Sequence, residues 1–350
     1  MHTPSRSTTL QYAQLGRTGL YVSRLTLGAM TFGGGDVAPW NAVGNLSAAE
    51  SAALVHQALD AGINVVDTAN VYGGGESEEL VGRALGSRRD EVVLATKLHP
   101  RVGPGPNDVG QSRRHVTRAI DDSLRRLGTD HVDLLQLHNF DALTPMEETL
   151  RALDDAVRAG KVLYIGVSNW AAWQLQKGLG LSALHGLERF ATLQAYYSLA
   201  GRDLEREILP LVRDAGVGLL TWSPLAGGFL SGKFGREGAT DAGSRRTTTD
   251  FPPVDREAAY DIIDVLRVVA EQQERSVAQV ALAWVLAQRG VTSVITGVRR
   301  PDQLTDNLGA LDVVLTPDQL RALDQISAPA PAYPGWIQST EGRRPVGAID

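Results

Sequence analysis

Short apolar runs and longer amphipathic stretches alternate along this chain. Eight runs carry the pattern of buried strands: Arg24–Ala29, Ile63–Asp67, Val92–Lys97, Val132–Leu137, Val162–Val167, Thr192–Ala195, Val217–Thr221 and Ser293–Thr296. They are nearly continuous in apolar residues, as in parallel strands covered on both faces. Between them the period changes to that of helices. Ser47–Ala61 opens on a capping box of Ser47 and Glu50. Gln111–Leu127 repeats apolar side chains at Val116, Ile120, Leu124 and Leu127, one helical face. Pro145–Ala159 takes Thr144 as N-cap and Pro145 at its first position. Arg256–Gln273, Val277–Gln288, Pro301–Leu308 and a C-terminal Leu315–Ile326 are further helical stretches.

Repeated strand-then-helix units with no second run of strands predict a single (β/α)8 TIM barrel of the α/β class. It occupies residues 1–350 as one domain, with a core of about 15–326 and tails at 1–10 and 328–350. A doubly wound sheet would place G-x-G-x-x-G after its first strand, and Gly28 followed by Gly33-Gly34-Gly35 lacks that spacing. Gln11–Leu25, with the turn-like Gly16-Arg17-Thr18-Gly19, predicts a hairpin before the barrel. Two long loops follow the first and seventh strands, Phe32–Asn45 and Ser231–Pro253. The second exceeds ordinary connections and is long enough to serve as a lid.

Composition enters mainly by exclusion. Hydrophobic residues at 43% and charged residues at 21% are ordinary globular values. A net charge of −6 and no basic run argue against a nucleic-acid partner. The absence of cysteine excludes disulfides and thiolate chemistry. No apolar run approaches the ~20 residues of a membrane span, and the start MHTPSRSTTL lacks a signal-peptide core. No membrane partner is expected, a cytoplasmic location fits, and a homo-oligomer is left open. The histidines show no metal-ligand spacing, so no metal is expected. Four lysines stand against thirty arginines, which makes a lysine at a strand end more informative than usual.

In a barrel of this kind the working face is the C-terminal end of the strands. Polar residues gather there. The second strand ends in Asp67, with Tyr72 in the loop beyond; the third ends in Lys97 and the fourth in His138. Together they suit proton transfer to a developing alkoxide. A tyrosine, with an ordinary pKa of ~10, is a weak acid near neutrality. An adjacent ammonium lowers that value, a carboxylate holds the lysine, and a histidine hydrogen-bonds and orients the carbonyl oxygen.

The segments INVVDTANVYGGGESEELVGRAL, VLATKL, VDLLQLHNFD, ALDDAVRAGKVLYIGVSNW, LTWSPLAGGFLSGK and ITGVRRPDQLTDNL resemble the aldo-keto reductase superfamily. The likeness runs from about Leu15 to about Ile326, and WSPLAGG is similar to the bacterial branch related to potassium-channel β-subunits. The resemblance implies an NAD(P)H-dependent reductase of an aldehyde or ketone. In it, Tyr72 is the general acid, Asp67 and Lys97 tune it, and His138 positions the substrate. It further implies an NADP(H) site. Ser168, Asn169 and Gln194 would grip the nicotinamide carboxamide, Trp222 would stack on its ring, and Ser223, Leu225, Gly227 and Lys233 would meet the pyrophosphate. Gly28 and Gly297 belong to the same site. Gly297, Arg299, Gln303, Asp306 and Asn307 would form the adenosine-phosphate segment, and Arg299 or Arg300 would contact a 2′-phosphate, which favours NADPH over NADH. Asp306 departs from the glutamate that the family often has. Phe32, Trp40, Phe140, Tyr197 and the tail residue Trp336 are candidates for an apolar substrate pocket.

Each of these residues also has a plainer reading. Asp67 could cap the next segment, Tyr72 and Trp222 could be packing residues, and His138 a structural histidine. The glycine runs read as turns, and Arg299-Arg300 as a solvated pair. Lys97 could form a Schiff base, which makes a barrel lyase the alternative enzyme. A non-catalytic, NADPH-binding regulatory subunit is the alternative without turnover.

Overall fold

A computed structural model describes residues 11–338 apart from 36, 37, 39, 240–245, 247 and 248. Of the expected tails at 1–10 and 328–350, residues 1–10 and 339–350 lie outside the described residues. Among the described residues, twelve strands run in chain order: β1 Tyr12–Gln14, β2 Tyr21–Ser23, β3 Leu25–Gly28, β4 Val65–Asp67, β5 Val93–Leu98, β6 Val132–Leu137, β7 Val162–Ser168, β8 Phe190–Tyr196, β9 Gly218–Trp222, β10 Phe234–Gly235, β11 Gly238–Ala239 and β12 Val291–Gly297. The helices are α1 Ala48–Asp60, α2 Glu76–Leu85, α3 Arg113–Leu127, α4 Met146–Arg158, α5 Ala172–His185, α6 Ile208–Ala215, α7 Arg256–Gln273, α8 Val277–Ala287, α9 Pro301–Leu308, α10 Pro317–Ile326 and α11 Gly335–Gln338.

The strands predicted from apolar runs are β3–β9 and β12, and they close a parallel barrel in the order β12-β3-β4-β5-β6-β7-β8-β9. The TIM-barrel expectation therefore holds. So does the hairpin, in which β1 pairs antiparallel with β2. Its Leu15 and Val22 join Val65, Val93, Ala95, Leu134, Leu220 and Ile295 in a small core inside the barrel. The larger core lies between barrel and helices and includes Leu94, Leu135, Val167, Leu193 and Leu219.

These two cores show which way each strand faces, because strand side chains alternate with period two. Val65, Val93, Ala95, Leu134 and Leu220 point inward. Continuing by twos, the inward positions at the strand ends are Asp67, Lys97, Gln136 and Trp222. The hairpin fills the lower half with apolar side chains, and the polar residues gather in the upper half. Gly166 makes room for that layer, since a Cβ there would lie 2.0 Å from Thr192 Oγ1 and 3.2 Å from Gln136 Cγ.

Some helix boundaries move. The capping box of Ser47 and Glu50 forms as expected. Pro145, not Thr144, stands at the cap of α4, and the Thr144 hydroxyl donates to Asp141 Oδ2 instead. The C-terminal helix α10 begins at Pro317, not Leu315, behind a Thr316–Gln319 capping box. The hydrophobic pattern named no helix at α2, α5 or α6. Helix α2 follows three glycines, α5 contains Gly178 and Gly180, and α6 carries Pro210. Pro210 is tolerated because it lies in the first turn, where its missing N–H has no intrahelical partner. The loop after β9 contains the small β10–β11 pair and the short helical turn Ala226–Ser231.

Candidate active site

Asp67 ends β4, Lys97 lies near the end of β5, and His138 directly follows β6. Tyr72 reaches them from a short helical turn, Tyr72–Gly75, beyond β4. Lys97 has no exposed surface. Its Nζ donates to Asp67 Oδ2 at 2.6 Å, to the Thr68 carbonyl at 2.9 Å and to the Tyr72 hydroxyl at 3.3 Å. The Tyr72 and His138 rings meet edge to face at 5.8 Å. The four residues expected at the reaction centre thus come together.

The second oxygen of Asp67 is held by two amides. Gln194 Nε2 donates to Oδ1 at 2.9 Å and Gln136 Nε2 at 3.3 Å. Gln136 is fully buried and its own Oε1 accepts from Thr192 Oγ1. Sequence reasoning passed over Gln136. Its signal was a polar residue inside an apolar strand, two positions before the histidine.

The electrostatics differ in one respect from the expectation. Burial raises the Tyr72 pKa above its ordinary value; the Lys97 ammonium opposes this and Asp67 adds to it. The expected lowering by lysine is present but outweighed, so the resting hydroxyl keeps its proton. For Lys97, burial alone would lower the pKa, but the Asp67 carboxylate and Tyr72 outweigh it and raise the value. Burial, the Lys97 charge and His99 push His138 down to about 3. The imidazole is therefore neutral. Its Nδ1 is buried without a partner among the described residues. A buried lone pair is less costly than a buried unpaired N–H, so the proton belongs on Nε2.

The residues considered for a cofactor lie on the other half of the barrel mouth. Ser168 and Gln194 are paired across β7 and β8. Trp222 ends β9, and its indole N–H donates to Asn169 Oδ1 at 3.0 Å. Asn169 in turn donates to the His138 carbonyl at 3.0 Å. Its backbone lies in the left-handed region, as do Ser223, Ala226, Gly227 and Gly228. The Gly227 N–H donates to Ser223 Oγ at 2.9 Å, forming a tight loop beyond Trp222. Gly297 and Gly28 pair on adjacent strands at this end. An added Cβ at Gly297 meets nothing, whereas one at Gly28 would lie 2.9 Å from Ile295 Cγ2. Gly28 is thus explained by packing.

Gln303 lies in the first turn of α9 and accepts from the Arg299 N–H at 2.8 Å. Arg300 pairs with Asp302 at 3.0 Å. Asp306 Oδ2 accepts from Ser276 Oγ, the cap of α8, and Asn307 is buried. Lys233 lies between the helical turn Ala226–Ser231 and β10, in the loop that follows β9, the strand paired with β12. Leu225 is partly buried against the outer core.

These residues fit a dinucleotide. Gln194 gives its N–H to Asp67, so the amide oxygen is the group it would offer to a carboxamide. A left-handed backbone loop suits a pyrophosphate.

Two pocket candidates are corrected. Phe32 and Tyr197 have no exposed surface. Phe32 sits in the outer core, and the Tyr197 hydroxyl donates to Glu205 at 2.6 Å beneath the C-terminal helix. Trp40 packs edge-on against Tyr72 at 5.5 Å. Phe140 packs on Trp170 and Trp173. Trp336 is half-exposed and its ring contacts Tyr333.

The long loop holds two residues that sequence reasoning did not single out. Arg246 has a buried guanidinium that donates to the Ala226 and Pro252 carbonyls at 3.0 and 2.7 Å. Phe251 stacks nearly parallel on Trp222 at 5.7 Å. Neither stands out from its neighbours by composition, since both gain their meaning from contacts distant in sequence.

The closed parallel barrel and the Tyr–Lys–Asp–His cluster at its C-terminal mouth belong to an oxidoreductase. The family model for the aldo/keto reductase family matches residues 24–328. The chain belongs to that family and is an NAD(P)H-dependent oxidoreductase. It is similar to a probable voltage-gated potassium channel subunit beta of Arabidopsis thaliana, with 38% identity over 93% of this chain and 99% of that protein. It is also similar to versiconal hemiacetal acetate reductase of Aspergillus parasiticus, with 36% identity over 93% and 99%. A third relative is L-glyceraldehyde 3-phosphate reductase of Escherichia coli K12, with 34% identity over 92% and 94%. No helix among the described residues is long and apolar enough to cross a membrane.

Proposed function

We propose that this protein reduces an aldehyde or ketone to an alcohol with NADPH, and that Tyr72 is the proton donor. The observation that carries this reading is the buried Lys97 Nζ, which donates at once to Asp67 and to the Tyr72 hydroxyl. That bond occupies a lone pair of the tyrosine oxygen and leaves its own O–H to donate outward. Burial keeps the hydroxyl protonated until negative charge develops on a carbonyl oxygen beside it. The neutral His138 adds a second donor from Nε2 and fixes the direction of that oxygen. After the proton has moved to the substrate, the Lys97 ammonium stabilises the tyrosinate until solvent restores the proton.

A bound nicotinamide supplies the hydride to the carbonyl carbon. Ser168, Asn169, Gln194 and Trp222 would hold its ring end, and the Ser223–Gly228 loop with Lys233 its pyrophosphate. Arg299 or Arg300 would meet a 2′-phosphate, through the bidentate geometry a guanidinium offers. The same reaction run backwards would oxidise the alcohol.

Geometry disfavours a Schiff-base role. A Lys97 with a raised pKa and three acceptors around it has no lone pair to attack a carbonyl. The channel-subunit relative favours a second reading, a cofactor-binding regulatory subunit. One experiment separates them. Tyr72→Phe should lose nearly all carbonyl-dependent NADPH oxidation while binding NADPH as the wild type does. Undiminished turnover in that variant excludes Tyr72 as the acid. A wild-type protein that binds NADPH but turns over no carbonyl favours the regulatory reading.

A further inference from the structure

The two glycine runs, Gly33–Gly35 and Gly73–Gly75, meet in space beside Tyr72. The Gly34 N–H donates to Glu76 Oε2 at 2.7 Å. Gly33 lies in the left-handed region, and a Cβ there would come within 2.6 Å of the Glu76 carboxylate. A Cβ on Gly34 would lie 2.8 Å from Trp40 Cβ, and one on Gly73 would lie 3.0 Å from the Gly34 nitrogen. Only glycines let the two backbones approach this closely. Their contact seats Trp40 edge-on against the Tyr72 ring at 5.5 Å, opposite a second edge contact from His138 at 5.8 Å. Tyr72 itself retains 8% exposure, so approach to its hydroxyl is narrow.

We propose that Glu76 is a positioning residue for substrate selection. Its carboxylate docks the loop that carries Trp40 onto the Tyr72 turn, and Trp40 then limits the bulk of the carbonyl substituent beside the proton donor. This rests on the reading of Tyr72 as that donor. Glu76 is also the first residue of α2, where a carboxylate favours the helix N-terminus whatever else it does. A role confined to the helix would leave substrate selection untouched, and so the two roles can be told apart.

The test compares wild type, Trp40→Ala, Glu76→Ala and Glu76→Gln. The readout is the ratio of kcat/KM for 2-naphthaldehyde to that for propanal. Trp40→Ala should raise this ratio about tenfold or more, since removing an aromatic wall exceeds the effect of a single methylene. Glu76→Ala should raise it about fivefold, the net worth of one ordinary hydrogen bond. Glu76→Gln keeps an acceptor for the Gly34 N–H and should stay within about twofold of wild type. NADPH affinity should be equal in all four. Amide hydrogen exchange at Gly34 should speed up in Glu76→Ala and not in Glu76→Gln, with or without turnover. An unchanged ratio in Trp40→Ala or Glu76→Ala overturns the proposal, as does a Glu76→Gln that behaves like the alanine variant. A wild type inactive on every carbonyl refutes the reductase reading instead. Unchanged Gly34 exchange in Glu76→Ala then still overturns the docking role.

Discussion

Lowering the pH from about 7 to about 5 should destabilise the folded chain through His138, and His138→Gln should lack that part of the acid sensitivity. Burial, with Lys97 and His99 nearby, holds the folded imidazole at a pKa of about 3. In the unfolded chain it returns to ~6.5. As the pH falls below ~6.5 the unfolded chain takes up a proton that the folded site refuses. Each pH unit from there down to about 3 therefore favours unfolding by up to ~1.4 kcal/mol. At pH 5 the accumulated loss is about 2 kcal/mol. For a chain of this length the unfolding entropy is ~0.7 kcal/mol/K, so the midpoint should fall by about 3 °C from this group. His99 and His115 are also lowered by burial and act in the same direction, but both proteins contain them. Urea denaturation of wild type and His138→Gln at the two pH values isolates the one imidazole. Wild type should lose about 2 kcal/mol more than the variant. An NMR titration that finds native His138 protonating near pH 6.5, or equal losses in the two proteins, would refute the reasoning.

Three further outcomes are expected. Tyr197→Phe removes the hydroxyl that Glu205 accepts from, and should cost about 1.5–3 kcal/mol of stability in urea while kcat/KM stays as in wild type; a substantial rise in KM would return Tyr197 to the pocket. Lys97→Met leaves the Asp67 carboxylate buried without its cation, at a cost of about 3–5 kcal/mol, seen as a melting point lower by about 4–7 °C. Its turnover should fall by about 10²-fold or more, and a variant that melts and works like wild type would show that the pair is dispensable. Arg299→Ala should weaken NADPH binding about tenfold in a fluorescence titration and leave NADH nearly unchanged; an equal loss for both cofactors would remove Arg299 from the 2′-phosphate.

The barrel was legible because its strands are buried on both faces and so leave continuous apolar runs, visible in any order of reading. The helices at α2, α5 and α6 escaped because glycines and a proline blur their period, while packing against the barrel holds them regardless. Within the site, Asp67, Lys97 and His138 are found by the rule that strand ends carry the chemistry. Tyr72 is in a loop, and its role rested more on family likeness.

By itself, then, the sequence determined the fold class, the end of the barrel that works, and the residue types available there. Tertiary structure decided which of them share one hydrogen-bonded cluster. It turned Gln136 into a partner of Asp67, and it placed Glu76 against Gly34 and Trp40 against Tyr72. It also withdrew Phe32 and Tyr197 into the core. The physical reason is range. Burial patterns repeat every two or four residues and can be read locally, whereas a site is made by contacts between residues far apart in the chain. Even the direction of the Tyr72 pKa followed this division: the neighbouring ammonium is visible in the sequence, but the burial that outweighs it exists only in the folded barrel.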